Sequence, residues 1–440
     1  MQPEQVSSYR LGPNDLSPGA AMQTPMPLDA VDLADYDRFQ SNLAWGQFDT
    51  LRREDPVHWN PETAPNRGFW SVTRYHDIWQ VDRDTASFTS ERFVNLEEVD
   101  DDLMDIRRSM LETDGRRHLA LRQLIARELS PRNLMKNYEG FLRELTRRTV
   151  DEALADDEFD FVRRISADFP IQVLARLLDV PREDTGQLIA WGNEMVGNTD
   201  PDYTQHQFDS PESEKYKHLP FRSPTTQDVF DYGRALRDSR RGGDGTDLVS
   251  QLANKMPSDG VPLSDRDFDN YFLLLVIAGN ETTRHAISNS MLGLIQQPGQ
   301  LRLLQENPAL IATGLEELLR WASPVYHFRR TATRDVELGG KTIREGDKVV
   351  MWFASGNRDE EVFPDPYRID VTRPNVDHLT FGKGSPHLCM GNSLARMEVR
   401  LMFEELLPRL RDIELTGEVT RVRSNFVNGI KKFPVRVRTR

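Results

Sequence analysis

Apolar residues recur at helical spacing along most of the chain, and this pattern predicts a mainly α-helical fold. It is clear in residues 119–129, 137–155, 265–296 and 307–321. Residues 271–278 are apolar on nearly all sides, so we expect 265–296 to form one long helix buried through the middle of a large body. The apolar residues on both sides of Asn280 argue against a helix break and cap at that position.

Strand patterns are short and scattered, in residues 69–73, 330–338 and 348–353, and they predict small sheets. Gly339 and Gly340 lie between the last two and predict a hairpin turn. Residues 357–375 are typical of an ordered meander, whereas 201–229 predict a mobile surface loop.

No repeat or linker divides the chain. We therefore expect a loosely ordered leader over residues 1–34, followed by one large domain over 35–440.

The composition excludes several classes of function, whereas it says little about the fold. The formal net charge of -14 argues against a nucleic-acid partner, because phosphate would be repelled on average. No apolar run approaches the ~20 residues that span a bilayer, and no signal segment is present, so we expect a cytoplasmic protein without a membrane anchor. The single cysteine, Cys389, excludes an intramolecular disulfide and any site with several cysteine ligands.

The surroundings of Cys389 set it apart from an ordinary buried cysteine. Glycines precede it and Gly391 follows, and a helical pattern then starts. Backbone N–H groups at the start of a helix favour the thiolate, and glycine backbone allows a flat macrocycle to approach closely. The alternative is a turn that ends in a buried, inert cysteine.

Residues 381–391 resemble the haem-binding loop of the cytochrome P-450 superfamily, roughly Phe-Gly-x-Gly-x-His-x-Cys-x-Gly, with one extra residue before the histidine. The matching residues are Phe381, Gly382, Gly384, His387, Cys389 and Gly391. Four further strings resemble family segments: residues 114–122, Ala-Gly-Asn-Glu-Thr-Thr at 278–283, Glu-Leu-Leu-Arg at 317–320, and Phe-Arg-Arg-Thr-Ala at 328–332.

The resemblance implies a single large cytochrome P-450-type domain, with haem b between a long central helix and the cysteine loop. Cys389 would ligate the iron, and a thiolate ligand favours O–O bond cleavage. Glu281 and Thr282 would deliver protons, with Gly279 permitting a local opening of the helix. Glu317, Arg320 and Arg373 would form a buried lock. The expected partners of the haem propionates are His118, Arg122, Arg330 and His387.

The C-terminal third is similar to bacterial members that hydroxylate sterols, methyl-branched lipids or terpenoids. The implied function is a haem-thiolate monooxygenase that activates dioxygen and hydroxylates a lipophilic small molecule. The pocket residues implied by the resemblance are Phe93, Val94, Leu274, Ile277, Ala278, Val325, His327, Phe426 and Val427.

Electrons must come from outside, because the chain carries no flavin or nicotinamide fingerprint. We expect a ferredoxin and an NAD(P)H-dependent ferredoxin reductase as partners. An acidic ferredoxin could dock on a basic cluster made of Arg116, Arg117, Arg122, Arg127, Arg132 and Lys383.

Two other functions stay open at this point. A peroxide-driven peroxygenase would not need Glu281 and Thr282, and a non-catalytic haem-binding sensor or carrier would gain nothing from an acid in a buried helix. The substrate, the position of oxidation, the natural redox partner, the oligomeric state and the effect of the extra residue before His387 do not follow from the sequence.

Overall fold

The computed structural model describes residues 26–63 and 66–440. Most of this part of the chain is helical, and no helix in it is both long and apolar enough to cross a membrane. The helices are α1 (Tyr36–Gln40), α2 (Ala44–Glu54), α3 (Tyr75–Arg83), α4 (Asp101–Arg107), α5 (Gly115–Ala126), α6 (Pro131–Asn137), α7 (Glu139–Ala153), α8 (Asp168–Leu178), α9 (Thr185–Val196), α10 (Thr225–Arg240), α11 (Leu248–Asn254), α12 (Asp265–Ala278), α13 (Glu281–Gln296), α14 (Pro298–Glu306), α15 (Leu310–Ala322), α16 (Phe353–Gly356) and α17 (Asn392–Leu406).

The strands are short and form four small sheets. A five-stranded sheet has the order β1-β2-β8-β5-β3, and a three-stranded sheet has the order β4-β12-β9. Two hairpins, β6-β7 and β10-β11, complete the set. The strands are β1 (Val57–Asn60), β2 (Phe69–Val72), β3 (Phe88–Thr89), β4 (Glu158–Asp160), β5 (Phe328–Ala332), β6 (Val336–Leu338), β7 (Lys341–Ile343), β8 (Lys348–Met351), β9 (Leu410–Leu415), β10 (Thr420–Arg421), β11 (Ile430–Lys432) and β12 (Pro434–Thr439).

The predicted mainly α-helical fold with small sheets is confirmed. Most of the predicted leader falls on residues 1–25, which lie outside the described residues. Within the described part, Val31 and Leu33 are buried against α1, α2 and β8, so packing begins before the expected domain start at residue 35.

Helix α13 lies at the centre of the large core. Every residue from Thr283 to Ile295 is buried, although His285, Ser288, Asn289 and Ser290 are polar. Close contacts explain why small residues are needed there. A Cβ on Gly293 would lie 2.6 Å from Ile369 and 2.7 Å from Trp321.

The prediction of one uninterrupted helix over residues 265–296 was wrong. Helix α12 ends at Ala278 and α13 begins at Glu281, with Gly279 and Asn280 between them. A Cβ on Gly279 would lie 2.7 Å from Leu174 of α8, so the tight packing requires glycine. The hydroxyl of Thr282 donates to the Ala278 carbonyl at 3.2 Å, and such side-chain bonds are a known cause of helix bending. The apolar pattern continues through the break and therefore conceals it.

Two other local predictions needed correction. Residues 330–338 form the end of β5 and then β6, separated at 333–335, and the Gly339-Gly340 turn joins β6 to β7, a strand that we did not predict. Residues 201–229 contain 3₁₀ turns at Pro211–Tyr216 and Pro220–Arg222 and the start of α10, so they are not a loop throughout.

Glu317 and Arg320 form a buried ion pair behind the cysteine loop. Two guanidinium nitrogens of Arg320 lie 2.7 Å from the Glu317 carboxylate, and a third donates to the carbonyls of Asn357 and Pro366 at 2.6 and 2.8 Å. Arg373 donates to the same carboxylate at 3.2 Å. These bonds confirm the expected lock and explain how a meander without regular structure is ordered.

Replacing Arg320 with alanine is expected to lower the free energy of unfolding by about 3–5 kcal/mol, because Glu317 would stay buried without its main partner. Urea titration measures this loss. Arg302→Ala, at an exposed position of α14, should change stability by less than about 0.5 kcal/mol. Equal losses in the two variants would contradict the assigned role of the lock.

Candidate functional site

The loop that carries Cys389 lies immediately before α17 and is shaped by its own backbone. Gly382 and Gly384 have φ values of +75° and +68°, which residues with a side chain rarely adopt. The amide of Cys389 donates to the Phe381 carbonyl at 2.9 Å. Ser385, one of the two residues between Gly384 and His387, is held by its hydroxyl, which donates to the Asp82 carbonyl and accepts from the His387 amide.

The Cys389 thiol is accessible, yet protein surrounds it closely enough that burial raises its pKa. The amides of Gly391 and Asn392 and the guanidinium groups of Arg122 and Arg396 act in the opposite direction. The predicted N–H donors are therefore present, but in the protein alone they do not outweigh burial. A bound metal cation would shift this balance toward the thiolate, because a coordinated thiol loses its proton.

A second accessible surface occurs where α12 meets α13. Ala278 is exposed and Thr282 is half-buried, although α13 is buried from Thr283 onward. On the cysteine loop, Leu388 is one of the few large apolar residues that are exposed. Ala278 and Leu388 offer apolar surface, and Cys389 offers a thiol. These groups suit an apolar macrocycle whose metal takes a thiolate ligand.

Glu281 is buried within an ion-paired cluster. Its carboxylate lies 3.0 Å from Arg284 and 3.4 Å from His285, and the Asn280 amide donates to it at 3.2 Å. Although burial opposes ionisation, Arg284 and His285 lower the pKa of Glu281 below its usual value. The group that we expected to act as an acid is therefore a carboxylate at neutral pH.

The four predicted propionate partners come together around residues 385–388. His118 lies 3.2 Å from the Pro386 carbonyl, and its ring centroid is 4.0 Å from that of His387. Arg122 donates to the Leu388 carbonyl at 2.6 Å. Arg330 donates to Asp82 at 2.8 Å, and the same carboxylate also accepts from the Ser385 hydroxyl.

Two carboxylates in this cluster escaped the sequence analysis. Asp114 accepts from His387 at 2.9 Å, and Asp82 pairs with Arg330. The contacts of Asp114 hold its pKa below its usual value, while burial lowers the pKa of His387 to about 4. The Nε of Arg330 is buried without a partner among the described residues, so this guanidinium can donate one more hydrogen bond to an anionic oxygen.

Most predicted pocket residues belong to one apolar neighbourhood. Val325 pairs with Val427 in an isolated β-bridge, and Ile277 and Phe426 pack beside Val427. Among the remaining predicted residues, Leu274 packs against the large core instead. Leu274 is half-buried on α12. The ring centroid of His327 lies 5.6 Å from that of Phe426. The backbone amide of Arg329 on β5 donates to the carbonyl of Val94, which follows Phe93. Val196, Tyr203 and Val422 join the group and were not predicted.

A family model for cytochrome P-450 matches residues 66–433, and the chain belongs to that family. It is a monooxygenase, an oxidoreductase of a family that carries haem iron. Linalool 8-monooxygenase from Pseudomonas putida is 37% identical over 93% of this chain and 99% of its own length. A methyl-branched lipid omega-hydroxylase from Mycobacterium tuberculosis is 34% identical, over 93% of this chain and 95% of its own.

The solved structures agree with this assignment. A Mycobacterium marinum cytochrome P-450 in complex with pseudoionone has a TM-score of 0.81 and 35% identity, over 98% of this chain and 100% of its own. Among the described residues, no group of three or more His, Cys, Asp or Glu side chains could hold a metal ion. A single protein ligand to a haem iron is compatible with that finding.

His327 provides a test of the buried pocket by pH. Burial lowers its pKa to about 4, while its Nδ1 lies 3.0 Å from the Asn425 carbonyl. The unfolded chain takes up this proton below about pH 6.5 and the folded protein does not. Stability should therefore be complete above pH 6.5 and fall as the pH drops toward 4, by up to about 3 kcal/mol from this residue.

His327→Asn keeps a donor for the Asn425 carbonyl and should flatten the loss of stability between pH 6.5 and 4. The other buried histidines leave a residual slope. His218→Asn, at an exposed position, serves as the control, and urea titrations at several pH values give the slopes. Parallel curves for wild type and His327→Asn would show that His327 is not held neutral.

Proposed function

We propose that Cys389 ligates the iron of haem b and that the enzyme hydroxylates a lipophilic small molecule. The observation that carries the proposal is the accessible Cys389, near which lie the amides of Gly391 and Asn392 and the guanidinium groups of Arg122 and Arg396. Bound haem would supply the chemistry of dioxygen reduction and C–H oxidation.

The four basic side chains around residues 385–388 support the proposed binding of the haem propionates. In this proposal Arg122 and Arg330 hold the propionates, with His118 and His387 beside them. Arg330 is suited to this because its Nε has no partner among the described residues. Asp82 and Asp114 balance the positive charge of Arg122 and Arg330, so these side chains can be buried without a large loss of stability when no haem is bound.

We assign different roles in proton transfer to Thr282 and Glu281. Thr282 presents its hydroxyl at the half-buried surface of the helix interruption and there holds a proton donor in place. Glu281 is ion-paired with Arg284 and His285, so it must exchange partners before it carries a proton toward Thr282. Its ionised state suits a relay that takes protons from solvent rather than a stored acid.

The substrate class follows from the pocket and the relatives. Ile277, Val325, Phe426 and Val427 provide apolar surface, which favours a hydrophobic substrate. Relatives are named for linalool, methyl-branched lipids and steroids, which are all lipophilic molecules. We therefore place the substrate among terpenoids, branched lipids or sterols.

Electron delivery is assigned to a ferredoxin and its NAD(P)H-dependent reductase. Of the six residues in the predicted basic cluster, Arg116, Arg127 and Arg132 are exposed. Arg117 is paired with Asp259 and Asp267, and Lys383 with Asp377, which weakens their share of the attraction. Docking would therefore rest on the exposed members, beside the Cys389 loop that Arg122 contacts.

Replacing Thr282 with alanine should uncouple electron transfer from hydroxylation. We expect product formed per NADH to fall by about tenfold or more, with the electrons recovered as hydrogen peroxide. The matched control is Thr283→Ala, the buried neighbour on α13, which should stay coupled. The assay uses linalool as the probe substrate and measures NADH, peroxide and oxidised linalool together.

Turnover driven by hydrogen peroxide separates this function from a peroxygenase. Wild type should need NADH, ferredoxin and reductase, and Thr282→Ala should lose less in the peroxide reaction than in the NADH reaction. Efficient peroxide turnover with none from NADH, or equal coupling in both threonine variants, would refute the dioxygen route. Absence of oxidation with every terpenoid, branched lipid and sterol tried, despite bound haem, would favour a sensor or carrier.

Reversing charge at Arg127 should weaken ferredoxin docking. We expect Arg127→Glu to raise the KM for ferredoxin severalfold at low salt, and the difference from wild type to shrink as salt screens the charges. Lys432→Glu, an exposed position of β11, changes net charge equally and should leave that KM unchanged. Steady-state reduction of the protein at several salt concentrations measures both, and an effect of equal size in both variants would remove the cluster as the docking site.

A further inference from the structure

Residues 92–97, between β3 and α4, are held from one side by a single arginine of β5. The backbone amide of Arg329 donates to the Val94 carbonyl at 2.7 Å. Its guanidinium donates to the carbonyls of Arg92 at 2.8 Å, Asn95 at 3.3 Å and Glu97 at 2.9 Å. Arg329 thus binds four of the six residues in the segment through their backbone carbonyls.

The surroundings of Arg329 are unusual for a buried cation. The residue is only 5% exposed, and backbone carbonyls, rather than a carboxylate, accept its guanidinium bonds to the segment. Burial lowers the pKa of Arg329 to about 10, while Glu98, Glu62 and Glu97 oppose that shift. The guanidinium of Arg329 therefore remains charged at neutral pH and keeps all its N–H donors.

The segment that Arg329 binds has a backbone that requires support. Phe93 has a φ of +77°, which is an outlier for a bulky residue. Strained conformations of this kind persist only where the surroundings determine them. The side chain of Glu97 holds the segment from a second side. Its carboxylate forms ion pairs with Arg107 and with Arg222, the latter at 2.8 Å. The Arg107 guanidinium in turn lies 5.1 Å from the centroid of the Phe93 ring.

Arg329 and Arg330 point to different partners because side chains alternate along a strand. Arg330 bonds to Asp82 beside the cysteine loop, whereas Arg329 bonds to residues 92–97. One short strand therefore connects the proposed propionate site with Phe93 and Val94, two of the pocket residues predicted from the sequence.

We propose that Arg329 is a positioning residue for substrate selection: it fixes Phe93 and Val94 as a wall of the pocket and so determines which molecules bind. This inference rests on the proposed function, because it assumes that these two residues face the substrate. Arginine is required because a rigid, planar fork can reach three carbonyls at once. Lysine has the same charge but a single nitrogen, and it cannot span them.

The test compares Arg329→Lys with wild type in the haem-loaded protein, using two iron-binding probes. Imidazole needs little of the pocket, whereas 4-phenylimidazole adds a ring that needs an ordered wall. We expect the Kd for 4-phenylimidazole, read from the Soret shift, to rise about tenfold while that for imidazole stays within twofold. Hydrogen–deuterium exchange of residues 92–98 should speed up in parallel.

Arg334→Lys is the matched control. Arg334 follows β5 and bonds to Ser87 rather than to residues 92–97, so neither Kd nor the exchange rate should change. Phe93→Ala supplies the second control, because Arg329 is proposed to act through Phe93. Because Arg329 also holds Val94, the loss of 4-phenylimidazole affinity in the double variant Arg329→Lys/Phe93→Ala should be smaller than the sum of the losses in the two single variants.

Unchanged 4-phenylimidazole binding and unchanged exchange in Arg329→Lys would overturn the inference, as would strictly additive losses in the double variant. A rise in both Kd values by the same factor would point to general damage and would also contradict it. If Arg329→Lys does not fold, Glu97→Gln loosens the same segment from its other side and should weaken 4-phenylimidazole selectively. Failure of the wild-type protein to bind haem would instead refute the proposed function.

Discussion

The structure depends on the loop that holds Cys389. Its thiol is accessible, yet burial of the surroundings raises the pKa of that thiol. The Cys389 amide is tied to the Phe381 carbonyl, and other parts of the chain bind the same loop. Arg122 of α5 holds the Leu388 carbonyl, and Asp82 of α3 takes the Ser385 hydroxyl. Because these contacts come from distant segments, the loop can be rigid without any regular secondary structure of its own.

Behind the loop, buried charge organises the rest of the domain. Arg320 bonds to Glu317 and to the meander carbonyls of Asn357 and Pro366, so α15 and the meander become one unit. On the other side, the interruption between α12 and α13 leaves Ala278 exposed and Thr282 half-buried, directly before the buried part of α13.

Much of this could be predicted from the sequence, because helical periodicity and five ordered motifs are local signals. The apolar pattern does not show the helix interruption, because it continues on both sides of Gly279, and only the family resemblance implied a local opening there. The approach of Leu174 from α8, which requires glycine at this position, appears only in the folded chain. Asp82 was missed because its partner Arg330 lies 248 residues away. The ionised state of Glu281 likewise depends on which side chains surround it after folding, and Arg284 and His285 decide it.

The most direct test of the central claim is the carbon-monoxide difference spectrum of the reduced, haem-loaded protein. The account predicts a Soret band at the position typical of thiolate ligation in wild type and its loss in Cys389→Ser. Met390→Leu, next to Cys389, should keep the wild-type band. A histidine-type band in wild type, a thiolate-type band that survives in Cys389→Ser, or a protein that binds no haem would contradict the assignment of Cys389 as the iron ligand.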